Sequence, residues 1–429
     1  MELILENVRS FCDRHSIPLR PLTLLVGENS TGKTSFLAML AQVQAPGFPS
    51  TRPAFNIPPF DLGTFDSIAT YKRGKYGRAD SFSVGFDEKH GSNGRKLIAT
   101  YGSYRGQPQL VRVSATGAGG EVAISIDPES HMAKLGASSA GLETREHELD
   151  LRRVLPADVD YPIDFVFRNA FMELVQKSSK AGAVGASTER FIELSKLLRT
   201  SRRPVYALAP VRTKPRRTYD EYSDDFDPEG DHVPVILARL GEEDDDVRGP
   251  RIVEALNEFG EMSGLYEKIT VRHLGRKPTD PFQIMVETGG APANLPDVGY
   301  GVSQTLPIIV QSALAAERGM LLLQQPEVHL HPRAQAALGS FFAHLVAKEK
   351  KELVIETHSD YLLDRIRLEV ARRTLRASDV LILFFEKEYI ETQVHQIELD
   401  ELGNITRAPE SYRRFFLEEE GALLTRAKS

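Results

Sequence analysis

The chain has 429 residues and a single cysteine, Cys12, so it can form no internal disulfide. That usage suits a reducing, cytoplasmic setting better than an oxidising exterior. No stretch approaches the ~18 uninterrupted apolar residues of a membrane-spanning helix. The longest apolar runs, such as Val380 to Phe385, are strand-sized. Met1-Glu2-Leu3-Ile4-Leu5-Glu6 has no basic segment leading into an apolar one, so no secretory leader is expected. Positive charge is not in excess either. The formal net charge is −7, which excludes a polycation built to coat nucleic acid but leaves room for a local basic face. Internal repeats are missing, as are heptads long enough for a coiled-coil arm.

What is present suits a globular chain with a sizeable core: 41% hydrophobic and 26% charged residues. Its most informative stretch is Gly27-Glu28-Asn29-Ser30-Thr31-Gly32-Lys33-Thr34, followed by Ser35. The apolar run Leu22 to Val26 precedes it and the helical pattern Ser35 to Leu40 follows. This is G-x-x-x-x-G-K-[ST] in the strand–loop–helix setting that a phosphate-binding loop requires. The glycines let the loop turn so that main-chain N–H groups face the phosphates. Lys33 is expected to reach the β/γ-phosphates of ATP, and the Thr34 hydroxyl to hold Mg²⁺.

Glu2 to Val8 and Leu22 to Val26 read as two strands joined by a turn. The helix from Thr34 ends before Pro46. Between about 80 and 126, short alternating runs separated by Gly and Asn predict an antiparallel β-meander. Helical periodicity follows over 164–200, through Phe165, Phe167, Phe171, Leu174, Val175, Phe191, Leu194, Leu197 and Leu198, with a small-residue break at 181–187. Val205 to Pro210 reads as a strand returning to the sheet, and Glu242 to Asp246 as a solvated acidic loop. Helices are expected over 251–260, 303–318, 332–348 and 361–373. The expected strands cover 269–271, 283–286, 320–323, 353–355 and 380–385, and a short helical piece closes the chain. The fold class is therefore α/β, a nucleotide-binding core made of the two ends of the chain (1–70 and 251–429) around a β-meander and helical insertion at 71–250.

Three later segments sharpen this reading. Met320-Leu321-Leu322-Leu323-Gln324-Gln325-Pro326-Glu327-Val328-His329-Leu330-His331-Pro332 is an apolar strand ending in acceptor side chains. Such ends place a metal partner and a water-activating group beside a γ-phosphate. Leu353-Val354-Ile355-Glu356-Thr357-His358-Ser359 is a second strand, whose end delivers a histidine. Val298-Gly299-Tyr300-Gly301-Val302-Ser303-Gln304 is a Gly-rich turn opening a helix.

With the phosphate loop, these segments resemble the ABC-type P-loop ATPase heads of the OLD-like and SMC-like families. The resemblance is clear over about 1–45 and 295–429, with weaker echoes at Leu208 to Arg212 and Gly63 to Phe65. It is strongest to the bacterial stand-alone branch reading E-Q-P-E-x-H-L-H-P and I-E-T-H-S. The resemblance implies ATP and Mg²⁺ as cofactors and a mixed sheet with flanking helices. It gives Lys33 and Thr34 the Walker A roles and puts Gln324 and Gln325 at the Walker B positions, with Gln324 beside Thr34 as a metal partner. His358 becomes the switch histidine, and Gly301, Ser303 and Gln304 the signature loop that touches nucleotide on an opposite protomer. The usual Ser-Gly-Gly order is absent, so either Gly301 or Ser303 stands for the phosphate-binding serine.

That branch carries Glu where Gln324 stands. Glutamine cannot take a proton from water, and losing such a group slows this chemistry by ~10²–10⁴. Two accounts stand side by side: a natural enzyme with slow turnover, or an engineered Glu→Gln substitution that traps ATP. Glu327 and Glu356 remain as carboxylates nearby. His329 and His331, two apart beside Glu327, invite a metal reading that no third cluster supports.

By resemblance, ATP joins protomers into a homodimer or higher oligomer. The chain then reads as the regulatory ATPase of a bacterial anti-phage defence complex, with a separate nuclease or toxin effector. The alternative is an SMC-like DNA-repair or DNA-end-binding ATPase. The basic segment around Arg202 and Arg203, then Arg212, Lys214, Arg216 and Arg217, has three readings: solvated surface, DNA phosphate contact, or nucleotide or partner contact. A self-contained nuclease is disfavoured, because the stretch after His358 lacks an early Glu plus Asp-x-Asp set. A transporter ATPase is disfavoured because no glutamine lies around Gly63 to Phe65.

Overall fold

The computed structural model describes residues 1–72, 77–88, 94–118, 120–139, 142–143, 147–153, 160–169, 195–198, 203–220, 223–240, 248–277 and 280–412. Most of the helical expectation over 164–200, the acidic run at 242–246, Arg202 and the closing helical piece lie outside these residues.

In chain order the strands begin β1 (Glu2–Glu6), β2 (His15–Pro18) and β3 (Leu22–Gly27). Then come β4 (Ser81–Glu88), β5 (Arg95–Tyr104), β6 (Gln107–Gly117), β7 (Gly120–Asp127), β8 (Met132–Ser139), β9 (Leu142–Glu143) and β10 (His147–Asp150). The remainder are β11 (Val205–Leu208), β12 (Lys268–His273), β13 (Phe282–Glu287), β14 (Ala293–Asn294), β15 (Met320–Gln324), β16 (Glu352–Glu356), β17 (Val380–Glu388) and β18 (Glu391–Ile397). The helices used below are α1 (Lys33–Gln44), α2 (Phe65–Ile68), α3 (Val233–Arg239), α4 (Arg248–Ser263), α5 (Tyr300–Leu314), α6 (Pro332–Ala347) and α7 (Asp360–Ala371).

The contacts divide the chain into two units whose boundaries differ from the expected 1–70, 71–250 and 251–429. The first comprises Met1–Leu19, Thr34–Ala207 and Glu388–Thr392. Its sheet runs β10-β8-β7-β6-β5-β4-β1-β2, with β9 on β8. The pairings among its described residues are antiparallel, for example Leu3 opposite Phe86 and Leu97 opposite Ala115. The expected meander is present and extends three strands further. β1 belongs to it, because β2 folds back as its hairpin partner and β4 takes its other side. Phe55, Phe82 and Tyr101 fill its core, with ring centroids 5.1 to 5.5 Å apart.

The second unit comprises Arg20–Lys33, Leu208–Lys387 and Gln393–Ser429. Its six-stranded sheet has the order β11-β15-β16-β3-β17-β18. β15, β16, β3 and β17 are parallel, with Leu323 opposite Ile355, Ile355 opposite Leu24, and Leu24 opposite Ile382. Strands covered on both faces read as unbroken apolar runs, and all of β15 is buried. That is why these four were visible in the sequence. α6 packs on α4, α7, β3 and β16, and α5 packs on α3 and α4. A separate sheet, β12-β13-β14, is antiparallel. Because β3, β15 and β16 run the same way, Gly27, Gln324 and Glu356 all reach the carboxyl edge of the sheet. In open α/β sheets ligands bind at that edge.

Candidate functional site

β3 ends at Gly27, and α1 begins at Lys33. Gly27 has φ +133°, and a Cβ there would lie 2.2 Å from the main-chain oxygen of Phe385 on β17. Only glycine lets β3 end against its neighbour in this way. Ser30 and Gly32 also take positive φ, which completes the turn. Glu28, Asn29 and Ser30 form its exposed lip, while Thr31 is buried and its hydroxyl donates to Glu28 O at 2.8 Å. The Lys33 ammonium is buried inside the loop, donating to Gly27 O at 3.0 Å and Glu28 O at 2.6 Å. Burial pulls its pKa down, against the charges of Glu356 and Glu28. Thr34 is exposed in the first turn of α1. Ser35 is buried, and its Oγ accepts from Arg9 Nη1 at 3.2 Å.

Gln324 closes β15 and is buried. Gln325 turns the chain with φ +42°, and its N–H donates to Glu356 O at 2.8 Å. Glu327 follows, also buried. Its Oε1 accepts the main-chain N–H of His358 at 2.7 Å, and its Oε2 makes no hydrogen bond. Burial pushes the Glu327 carboxyl up, restrained by the N–H groups of His358 and Glu327, by the Thr357 hydroxyl and, most weakly, by the Arg212 charge. The His358 imidazole is held below its usual pKa by burial and then by the Lys33 charge, so it is neutral at pH 7. Ser359 caps α7, its Oγ accepting from Leu362 N–H at 3.1 Å and donating to Gln335 Oε1 at 2.6 Å.

Lys33, Gln324, Glu327, Glu356 and His358 therefore gather on adjacent strand ends. Phosphate chemistry needs such a set: a cation in a glycine turn, a neutral histidine and a buried carboxylate with one free oxygen.

Gly301, Ser303 and Gln304 lie elsewhere, in the first turns of α5. All three are buried. Gly301 faces Leu330 and Leu265, and the Ser303 hydroxyl donates to Tyr300 O at 2.9 Å. The side chain exposed at this helix end is Tyr300, whose ring lies 6.1 Å from that of His329. His331 caps α6 through Nδ1, which accepts from Arg333 N–H. Among the described residues no group of three His, Cys, Asp or Glu could hold a metal ion. Gln324, expected as a metal partner, carries a neutral amide rather than a carboxylate.

The basic segment needs a correction. Arg212 is not a surface cation: it is 4% exposed, and its Nη2 lies 3.5 Å from Gln324 O. Arg216 pairs with Asp231 at 3.0 Å, and Arg217 makes two bonds to Asp297. Lys214 is exposed. Charge density grouped Arg212 with its neighbours, whereas its place just past a strand returning to the sheet was the signal that mattered.

Residues 187–364 match the family described as "AAA domain, putative AbiEii toxin, Type IV TA system". The OLD nuclease of Thermus scotoductus is 22% identical over 381 residues, covering 87% of this chain and 62% of that protein. These matches agree with the resemblance to OLD-like ATPase heads read from the motifs. The chain spans less than two thirds of the length of that OLD relative. Looser likenesses reach the SMC head bound to the C-winged helix domain of ScpA (11% identity, 93% of this chain and 98% of that one, TM-score 0.44). The SMC head domain of Thermotoga maritima is similar over the same shares at 11% identity and a TM-score of 0.40. Among the described residues, no helix is long and apolar enough to cross a membrane.

Proposed function

We propose that this OLD-like head binds and slowly hydrolyses Mg·ATP, and that nucleotide joins two copies of the chain into a dimer that regulates a separate effector in anti-phage defence. The observation that supports this most is the burial of the Lys33 ammonium in its glycine turn, beside Glu356 and the neutral His358. A phosphate entering the turn takes over the Lys33 N–H donors now held by Gly27 O and Glu28 O, alongside the loop's own N–H groups. Mg²⁺, when bound with the nucleotide, neutralises charge building on the phosphates. Glu327 is the carboxylate suited to orient the attacking water, because Gln324 and Gln325 cannot accept a proton. His358 donates or accepts at the terminal phosphate without adding charge.

The effector reading rests on the resemblance to OLD-like systems and on the toxin–antitoxin wording of the matched family. Of the four cations that the DNA-end alternative uses, Arg212 is buried, while Arg216 and Arg217 stand beside aspartates.

The deciding measurement pairs equilibrium nucleotide binding with sedimentation, for the parent chain and Lys33→Ala. Saturating Mg·ATP is expected to produce a dimer, and Lys33→Ala to abolish both dimer and affinity. A chain that stays monomeric, or a variant that binds unchanged, overturns the proposal.

A further inference from the structure

The unspent valences beside β15 carry one inference beyond this reading. Arg212 is only 4% exposed, yet among the described residues its Nε and Nη1 have no acceptor. Its bond from Nη2 to Gln324 O sits at the 3.5 Å limit of a hydrogen bond. Glu327, whose charge acts on Arg212, also has its Oε2 without a hydrogen bond among the described residues. The two charges act on each other, but among the described residues they form no ion pair within bonding distance. Val211 before it is 75% exposed and Lys214 after it is exposed, so Arg212 turns inward from an otherwise solvated stretch.

A buried donor left unsatisfied costs ~1–3 kcal/mol, and more when it is charged. An apolar side chain of similar volume would be cheaper if stability were all that mattered. Burial draws the guanidinium's pKa down to about 10, so it is still a cation at neutral pH. The arrangement suits a ligand that accepts from a planar fork of N–H groups. Phosphate does this, and arginine is the residue that meets it in two-point fashion.

We infer that Arg212 is a ligand of the nucleotide's terminal phosphate, contributed by the same chain that holds the phosphate in its glycine turn. The inference rests on the ATPase reading above. Because ADP lacks the terminal phosphate, Arg212 then separates ATP from ADP, whereas Lys33 serves both.

The test is titration calorimetry of the full chain with Mg·ATP and with Mg·ADP, for the parent, Arg212→Met and Arg212→Lys, each checked for its unfolding temperature. Arg212→Met is expected to lose about 10–100-fold in ATP affinity with ADP affinity unchanged, the range of a charged hydrogen bond. Arg212→Lys should fall between the two, since it keeps the charge without the fork. If Arg212→Met fails to fold, the ATP-to-ADP ratio of Arg212→Lys decides. ATP and ADP affinities that fall together, or a ratio that does not move, overturn the inference. Failure of the ATPase reading looks different: the parent itself binds neither nucleotide, or Lys33→Ala binds ATP as tightly as the parent.

Discussion

The main-chain N–H of His358 donates to Glu327 Oε1 at 2.7 Å, which ties the end of β16 to the turn after β15. One carboxylate oxygen is thereby fixed by a backbone group, and the other remains available. A side chain held this way needs no reorganisation when charge develops beside it.

Gln324→Glu should raise ATP turnover. It adds a second carboxylate at the end of β15, and restoring such a group is worth ~10²–10⁴ in rate. Phosphate release under saturating Mg·ATP measures it. Equal slow rates would show that position 324 limits nothing and that Glu327 alone sets the pace.

Gly27→Ala should prevent stable folding of the loop. The new methyl would meet Phe385 O at 2.2 Å in a backbone region that L-residues rarely enter. Overpacking of this kind costs ~1–3 kcal/mol, with a further ~1–3 kcal/mol for the strained φ. A drop in unfolding temperature of several degrees is expected, together with loss of nucleotide binding.

His232 predicts an acid-side weakness. Asp227 N–H donates to its Nδ1 at 3.1 Å, which leaves Nε2–H to donate to Gln311 Oε1 at 3.1 Å. Burial is the main cause holding its pKa below the usual value. As pH falls below the ordinary histidine value of ~6.5, the unfolded chain takes up a proton before the folded one does. The stability it contributes is thus present above that pH and is lost as pH drops through the depressed folded value. Denaturation midpoints of the parent should fall over that window, and those of His232→Gln should fall less.

Ser359→Ala removes both the cap of α7 and the bond to Gln335. The expected loss is ~1–2 kcal/mol in urea denaturation. A larger effect on turnover than on stability would show that the cap also steadies His358, its neighbour in the chain.

Much of the second unit was legible because its strands are buried on both faces and its helices keep a regular apolar stripe. Leu22 to Val26, Met320 to Leu323 and Leu353 to Ile355 need no tertiary information to be recognised. Which sheet β1 joins was not legible, for the opposite reason. Its alternation fits any half-buried sheet, and the choice was made by β2, a four-residue strand too short to announce itself. The glycine turn, Glu327 and His358 were readable from motif spacing. Arg212 was not, because sequence shows charge but not the direction in which a side chain leaves the backbone. The burial of Ser303 and Gln304 was hidden likewise, since their polarity suggested solvent.

The backbone of Gln325 has a further bearing on how the head works. A non-glycine residue at φ +42° stores ~1–2 kcal/mol. What restrains it is the bond from its own N–H to Glu356 O, one strand away. The turn behaves as a cocked catch: any event that draws β16 away from β15 frees a peptide that already favours another shape. Under the proposed function, this strained peptide between the ends of β15 and β16 is the place where release of a phosphate would register.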